Sequence, residues 1–266
     1  MRPRRALPGR RLLARLETST LGRPLVAVDR IDTTMSLARS LHQKGFPDGT
    51  TVLAAEQTAG RGRAGRAFVS PRGGLYMTVQ LAALDPPADS WRFGFAAALA
   101  ARDSITGAGG PAIALDWPND LLVGDTKVGG TLLELVGGSG PGARVLMGLG
   151  LNVATPPADL DTPDAGPAGP LPELASDEPL AEVGARYLSA LEGWSSALRA
   201  AQGWSRVLQS FRDAFAPAVG QRVKVERPDG SIVTGETAGI ATDGSLLIRR
   251  RCGDVVSVRH ARRVYR

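Results

Sequence analysis

A glycine- and arginine-rich segment, Gly60-Arg61-Gly62-Arg63-Ala64-Gly65-Arg66, has a clear capacity for chemistry. Its glycines expose backbone N–H groups and allow close approach to a ligand, and its arginines carry permanent charge that can fork onto phosphate or carboxylate oxygens. A Walker A loop is excluded because no Gly-Lys-Ser/Thr follows, and a Rossmann fingerprint is excluded because the next segment is a loop. A solvated flexible loop and an RNA-binding tract remain as alternatives.

A lysine in an arginine-biased composition is the second candidate. The chain has three lysines, Lys44, Lys127 and Lys224, against 29 arginines. Lys127 precedes Gly129-Gly130 and follows Asp116-Trp117-Pro118-Asn119-Asp120. A compact ammonium there can neutralise a phosphate or a developing pentacoordinate phosphorus, and paired glycines in a strand mark close approach of a ligand or backbone. The alternative is a surface lysine beside a β-bulge.

Small and apolar residues alternate in Gly148-Leu149-Gly150-Leu151-Asn152-Val153. Glycines at alternate positions of a strand allow a flat group to lie against the sheet. The alternative is close packing of a helix on the sheet, with Asn152 capping a turn.

Short apolar runs and helical patterns alternate from Pro24 onward and must position these segments. We predict a hairpin turn at Gly124-Asp125, a long surface loop at 154–180, which holds seven of the 19 prolines, and a compact β unit at 221–266. Helices are expected from Thr33 or Thr34 to about Lys44 and at 91–106, 180–200 and 204–215. The predicted strands are 25–28, 50–55, 75–81, 113–115, 121–123, 127–136, 144–153, 222–226, 232–240, 245–250 and 255–258.

Composition excludes several classes of protein. One cysteine, Cys252, rules out an intramolecular disulfide framework, and two histidines leave little for a zinc site. No apolar run approaches the roughly 20 residues of a membrane span. Nothing requires an oxidising compartment, so we predict a cytoplasmic protein that does not associate with membranes.

The net charge of +6 does not indicate a nucleic-acid-binding protein. Residues 1–24 sum to +6 and residues 220–266 to +5, whereas the body between them sums to −5. An acidic body between two basic ends is not a continuous phosphate-binding stripe. We interpret residues 1–24 as a basic, disordered extension that is too short for a DNA-binding domain.

Taken in order, these segments resemble the biotin–protein ligase family. The resemblance covers about residues 25–215, and the β unit is similar to the family's C-terminal SH3-like domain. It implies an α/β (α+β) catalytic domain at 25–217, a mixed sheet backed by helices of the class II aminoacyl-tRNA synthetase and biotin ligase type, and an SH3-like β-barrel at 218–266. The matching motifs are Asp32-Thr33-Thr34-Met35, Glu56 through Arg66, Ser70 through Met77, Trp117-Pro118-Asn119-Asp120, Lys127-Val128-Gly129-Gly130 and Gly148 through Val153.

The resemblance implies condensation of biotin with ATP to biotinyl-5′-AMP, with Mg²⁺, and transfer of biotin to a lysine of a biotin carboxyl carrier domain. It implies catalytic roles for Lys127, Arg63 and Asp120, and it identifies no metal ligands. The implied biotin-binding residues are Thr33, Thr34, Met35, Gln57, Arg61, Gly62, Arg63 and Lys127. The implied ATP- or adenylate-binding residues are Arg61, Arg63, Arg66, Phe68, Trp117, Asn119, Asp120, Lys127 and Asn152.

Three positions depart from the family pattern. Met35 stands where the family often has Asn, Phe68 where an indole is common, and Asp116 where a lysine is usual. We expect the type of ligase that lacks an N-terminal DNA-binding repressor domain, as a monomer or a homodimer. One alternative is a lipoate–protein ligase or octanoyl transferase of the same fold. The other is a nucleic-acid-binding module, and the scarcity of aromatic residues near the arginines counts against this second alternative.

Overall fold

The computed structural model of the protein describes residues 9–138, 140, 142–154, 168–172, 174, 176–216 and 219–265. Within these residues the chain forms two β-sheets, and the larger sheet is packed between helices. No helix in the described ranges is both long and apolar enough to cross a membrane.

The larger sheet contains β1 (Leu25–Ile31), β2 (Thr51–Gln57), β3 (Leu75–Ala82), β4 (Ala114–Asp116), β5 (Asp120–Val123), β6 (Thr126–Val136) and β7 (Arg144–Leu151). Its strand order is β1-β2-β3-β7-β6-β5-β4. β1 and β2 are parallel, whereas every other neighbouring pair is antiparallel. This arrangement confirms the mixed sheet that the family resemblance implies.

The helices are α1 (Gly9–Leu13), α2 (Thr34–Gln43), α3 (Phe93–Gly107), α4 (Pro179–Arg199) and α5 (Gly203–Ala214). α3 is apolar on most sides because it lies between the sheet and α4, and ten of its 15 residues are buried. α2 covers the other face, where Met35 and Leu41 pack on Val52 and Leu146. Thr33 begins α2 by accepting a hydrogen bond from the Met35 backbone N–H, as its N-cap position predicts.

The smaller sheet, called the C-terminal sheet below, contains β8 (Arg222–Glu226), β9 (Ile232–Ile240), β10 (Leu246–Arg249), β11 (Val255–Val258) and β12 (Arg263–Tyr265). Its strands are antiparallel in the order β11-β10-β9-β8-β12. Its buried side chains join those of the larger sheet in one core among the described residues. The division at residue 217 and closure into an SH3-like barrel stay predictions, and residues 217 and 218 lie outside the described ranges.

Residues 9–24 are folded onto the body of the protein, so the prediction of a disordered extension is wrong for this segment. Leu12 and Leu21 are buried. The Glu192 carboxylate in α4 accepts hydrogen bonds from three successive backbone N–H groups, those of residues 19–21. The local sequence could not reveal this packing because the partner lies up to 173 positions away. The first eight residues lie outside the described ranges.

The proline-rich segment 154–180 is also not a purely surface loop. Residues 155–167 lie outside the described ranges, but Leu171 and Leu174 are buried in the core. Ala168 forms a parallel bridge with Lys127, which brings this segment to the predicted site.

Candidate active site

A cavity of about 1200 Å³ brings together residues from both sheets, α2 and the glycine-arginine segment. Thirteen of the 14 predicted site residues line it: Thr33, Thr34, Met35, Gln57, Arg61, Gly62, Arg63, Arg66, Phe68, Asn119, Asp120, Lys127 and Asn152. Two clusters of polar side chains differ in chemistry. The amide end consists of Thr34, Gln57, Ser70 and Thr78, and the charged end consists of Arg63, Asp120, Lys127 and Asn152.

The β5–β6 hairpin positions the pair of opposite charges at the charged end. Lys127 Nζ lies 2.6 Å from Asp120 Oδ1. Gly124 forms the turn with a φ of +57°, a conformation that favours glycine. A Cβ at Gly130 would lie 3.2 Å from Asp120 Oδ1, so the paired glycines allow the backbone to approach this ion pair closely. The ammonium is therefore held at the cavity wall by its own hairpin.

Arg63 belongs to a loop that folds back on itself. The Gly62 N–H donates to Arg66 O, and Arg61 bridges to Ala67. Ala64 has a φ of 53°, in the left-handed region, and this turn directs the arginines into the cavity. These arginines therefore line a defined cavity.

Burial lowers the pKa of the Arg63 guanidinium, and Arg66 lowers it further, whereas the carboxylate of Asp120 opposes both effects. An arginine keeps its charge in proteins because the ordinary pKa of a guanidinium lies far above neutral pH. Arg63 Nη2 also lies 3.4 Å from Ala261 O, to which it donates. The C-terminal sheet region thus helps to fix this cation.

A continuous hydrogen-bonded network forms the amide end. Gln57 Oε1 accepts hydrogen bonds from the Thr34 N–H at 2.8 Å and from Thr34 Oγ1 at 3.1 Å. Gln57 Nε2 donates to Ser70 Oγ at 2.9 Å, and Thr78 Oγ1 donates to Thr34 Oγ1 at 2.8 Å. Because α2, β2, β3 and the loop residue Ser70 supply these groups, the network ties the start of α2 to the sheet beneath it.

The alternating glycines of β7 make room for two side chains of the protein itself. A Cβ at Gly150 would lie 2.5 Å from the Phe68 ring, and a Cβ at Gly148 would lie 3.1 Å from Met35 Cε. The sequence predicts a flat group against this strand, and the structure places Phe68 there. Phe68 and Met35, two of the departures from the family pattern, therefore cover this strand directly.

Asn152 follows β7 and presents an acceptor to the charged end. Its Nδ2 donates to Gly169 O at 3.2 Å, which commits the amide nitrogen. Its Oδ1 is buried and, among the described residues, has no hydrogen-bond partner. Buried polar atoms are normally paired, so this oxygen marks a position where a ligand donor is expected.

Trp117 is the predicted site residue that does not line the cavity. Its side chain is only 3% exposed, and its indole Nε1 donates to Gly244 O at 3.0 Å. The predicted part of Trp117 in ATP or adenylate binding stays a prediction, and its burial away from the cavity wall does not favour direct contact. The motif marks Trp117 as a candidate site residue. The residue that accepts its indole hydrogen bond, Gly244, lies 127 positions further along the chain, so the local sequence gives no sign of this burial.

Sequence reasoning missed two further contributions to the cavity. Arg39 and Glu134 form an ion pair at its wall, and Arg263, Val264 and Tyr265 of β12 line another part. Arg39 lies on the surface of α2 and β12 has only three residues, so neither has a local sequence motif that marks it as part of a site. The pairing of β12 with β8 is the signal that a search for strand partners could have found.

No group of three or more His, Cys, Asp or Glu side chains suited to a metal ion occurs among the residues that the structure describes. Mg²⁺ commonly needs only one or two carboxylates, with water and substrate phosphates completing its octahedron. Asp116 and Asp120 line the cavity and fit that requirement.

The fold is similar to that of a biotin protein ligase from Aquifex aeolicus in complex with biotin and ATP. The TM-score is 0.70 at 22% identity, covering 91% of this chain and 98% of that chain.

Residues 27–152 match the model of the biotin/lipoate A/B protein ligase family, and residues 218–257 match the biotin protein ligase C-terminal domain. The chain is 34% identical over 210 residues to a biotin–[acetyl-CoA-carboxylase] ligase from Mycobacterium tuberculosis, across 76% of this chain and 73% of that protein. It is 42% identical over 144 residues to a ligase of the same name from Paracoccus denitrificans, across 53% of this chain and only 57% of that protein. The chain belongs to the biotin/lipoate protein ligase family.

Proposed function

We propose that this protein is a biotin–protein ligase, which activates biotin with ATP and transfers it to a lysine of a biotin carboxyl carrier domain. One observation carries the proposal: a single cavity contains an ammonium, several guanidiniums and a neutral amide network. Condensing a vitamin carboxylate with a nucleotide requires cations for the anionic centre and uncharged hydrogen-bonding groups for the vitamin ring. The names of the two bacterial relatives support the same activity.

In the first step a biotin carboxylate oxygen attacks the α-phosphorus of ATP, a P–O bond forms, and pyrophosphate leaves with the electrons of the broken P–O bond. Two anions must approach each other, so fixed positive charge at the reacting centre lowers the barrier. Lys127 and Arg63 supply this charge, and Arg61 and Arg66 extend it toward the leaving pyrophosphate. Asp120 orients the Lys127 ammonium through their 2.6 Å contact.

The amide end supplies the site for the biotin ring. Its fixed amide and hydroxyl groups suit the ureido group of biotin, which carries N–H donors and a carbonyl acceptor. Thr33, Met35, Gly62 and the neighbouring Gln57 complete this part of the site. The free Oδ1 of Asn152 suits the exocyclic amine of adenine, with Phe68 and Asn119 beside the nucleotide.

In the second step the deprotonated lysine amine of the carrier attacks the acyl carbon, an amide bond forms, and AMP leaves. The mixed anhydride is prone to hydrolysis, so the glycine-arginine loop is proposed to cover it and exclude water. The reacting amine belongs to the carrier, so this chain needs only to position the anhydride. Asp120 acts as the orienter of Lys127 and serves as the proposed base for that amine.

Mg²⁺ is also part of the proposal, and it would supply positive charge for the nucleotide phosphates and the leaving pyrophosphate. Asp116 would hold it, because Asp120 is committed to the ion pair with Lys127. A cytoplasmic location and the absence of DNA binding also stay predictions. The nucleic-acid alternative is disfavoured because Arg61, Arg63 and Arg66 line a cavity together with Lys127, and few aromatic side chains accompany them for base stacking.

The test is biotin-dependent exchange of pyrophosphate into ATP, followed by the mass of a carrier domain after incubation with ATP and biotin. We expect exchange with biotin and a mass increase equal to one biotinyl group. Lipoate replaces biotin in a parallel reaction as the control. Exchange with lipoate alone would assign the protein to the lipoate branch of the family, and no exchange with either acid would contradict the proposal.

A further inference from the structure

Three side chains from outside the C-terminal sheet donate hydrogen bonds to the turn between β9 and β10. Arg212 Nη2 donates to Ile240 O at 2.7 Å, Trp204 Nε1 to Thr242 O at 2.7 Å, and Trp117 Nε1 to Gly244 O at 3.0 Å. The backbone carbonyls of residues 240, 242 and 244 therefore each accept a hydrogen bond from outside the C-terminal sheet. We call residues 240–244 the docking turn.

The docking turn is packed too closely to shift freely. Gly244 has a φ of +78°, and a Cβ there would lie 2.7 Å from the Trp91 ring and 3.1 Å from the Phe95 ring. These rings contact Trp204 edge-on, with centroid distances of 4.9 and 5.2 Å. The acceptor of the Trp117 indole is thus fixed by the aromatic cluster around it.

The three donor side chains belong to different elements of the fold. Arg212 and Trp204 belong to α5, whereas Trp117 lies in the short connection between β4 and β5. Asp116 and Asp120 pair across that connection, and Asp120 holds Lys127.

The next side chain, Asn119, extends the connection to the neighbouring strand. Asn119 Nδ2 donates to Thr131 O at 2.5 Å, and the Thr131 N–H donates back to Asn119 O at 3.0 Å. A displacement of Trp117 therefore moves two residues at the cavity, Asn119 and Asp120, through three peptide bonds or fewer.

We propose that Trp117 is a positioning residue, which couples docking of the C-terminal sheet to the placement of Asn119, Asp120 and Lys127. It acts through its indole N–H to Gly244 O and touches no substrate. Docking by Trp204 and Arg212 attaches the C-terminal sheet, and docking by Trp117 also sets the nucleotide side of the cavity. Only the kinetic part of its test rests on the proposed function.

The experiment compares W117F with W204F, since each loses one indole donor to the same docking turn. Amide hydrogen exchange in the full-length protein, without any ligand, is the first measurement. We expect exchange at residues 119–131 to quicken about tenfold in W117F and to stay at the wild-type rate in W204F. Both variants are expected to lose thermal stability to a similar extent, because both weaken docking.

Steady-state kinetics is the second measurement. In W117F we expect the KM for ATP to rise about tenfold and the KM for biotin to stay within about twofold, whereas W204F keeps both near wild type. W117M, whose flexible side chain fills space and carries no hydrogen-bond donor, replaces W117F if that variant does not fold.

Two results would overturn the proposal. One is equal quickening of exchange at 119–131 in both variants, which makes Trp117 an ordinary docking residue. The other is wild-type exchange at 119–131 in a folded Trp117 variant. If the wild-type protein shows no biotin-dependent reaction, the proposed function fails, but hydrogen exchange still decides the role of Trp117.

Discussion

The amide end and the charged end of the cavity are assembled from different parts of the chain. At the amide end, Gln57 and Thr34 satisfy each other within α2, β2 and β3, which follow one another closely in the sequence. The charged end draws on the glycine-arginine loop, the β5–β6 hairpin, β7 and the C-terminal sheet, and it leaves Asn152 Oδ1 for a ligand. A satisfied neutral network fixes the orientation of a ligand, whereas a charged cluster with a buried, unpartnered acceptor supplies binding energy that can differ between substrate and transition state. Reaction rate should therefore depend most on the charged end.

The largest effect is expected for K127A. Removing the ammonium leaves the repulsion between carboxylate and triphosphate less compensated, so adenylate formation should fall about 10²–10³-fold. Pyrophosphate release measures this effect, and thermal unfolding checks that the fold is intact. K44A is the matched control, because Lys44 is an exposed lysine at the end of α2. Near-normal release by folded K127A would remove the distinction between the two ends.

The second prediction compares two glycines of the same strand. In G150A the new methyl group meets the Phe68 ring, which must move away, so the KM for ATP should rise by about tenfold to a hundredfold. In G148A the contact is with the flexible end of Met35 at 3.1 Å, so the change should stay below about threefold.

Binding of ATP and of biotin to each glycine variant is measured by calorimetry. Equal losses in G148A and G150A would show that Phe68 has no special part in the nucleotide site.

The third prediction concerns the amide end. T34V removes a hydroxyl that donates to Gln57 and accepts from Thr78, so the Thr78 hydroxyl loses its partner. We expect a loss of about 1–3 kcal/mol of unfolding free energy and an increase of about tenfold in the KM for biotin. The KM for ATP should be unchanged. T34S keeps the hydroxyl and should behave as wild type, and an equal biotin defect in T34S would point to lost methyl packing instead.

The smallest effect is expected outside both ends, at Glu192. Burial raises the pKa of the Glu192 carboxyl, but hydrogen bonds from the Ser19, Leu21 and Thr20 N–H groups and the Ser19 hydroxyl outweigh it and lower the pKa. A lowered pKa contributes stability above the unfolded-state pKa, and this stability is lost as pH falls through the folded-state pKa.

E192Q should therefore cost no more than about 1 kcal/mol of unfolding free energy at neutral pH, and the difference should vanish in acid. Denaturant unfolding of E192Q and wild type at several pH values measures this difference. Catalytic constants should match the wild type. A kinetic defect in E192Q would show that residues 9–24 influence the site. It would contradict the view that activity depends only on the amide end and the charged end.

Local chemistry made much of this structure predictable. A cap at Thr33 or Thr34, the Gly124-Asp125 turn and the buried α3 follow from short stretches of sequence. The family resemblance then indicated 13 residues that line the cavity. Long-range packing was not predictable. Trp117 is buried by a turn far along the chain, β12 is a strand only because β8 pairs with it, and residues 9–24 are ordered by contacts with α4.

The position of β12 has a consequence for the synthesis of the protein. Lys127 and the arginine loop leave the ribosome well before Arg263–Tyr265, the last residues to line the cavity. At about 5–20 residues per second, the nascent chain carries these cations for several seconds before the final wall can pair with β8. The cavity therefore lacks the wall that β12 forms until translation has passed that strand, so a nascent chain without its complete C-terminal sheet has only part of the site.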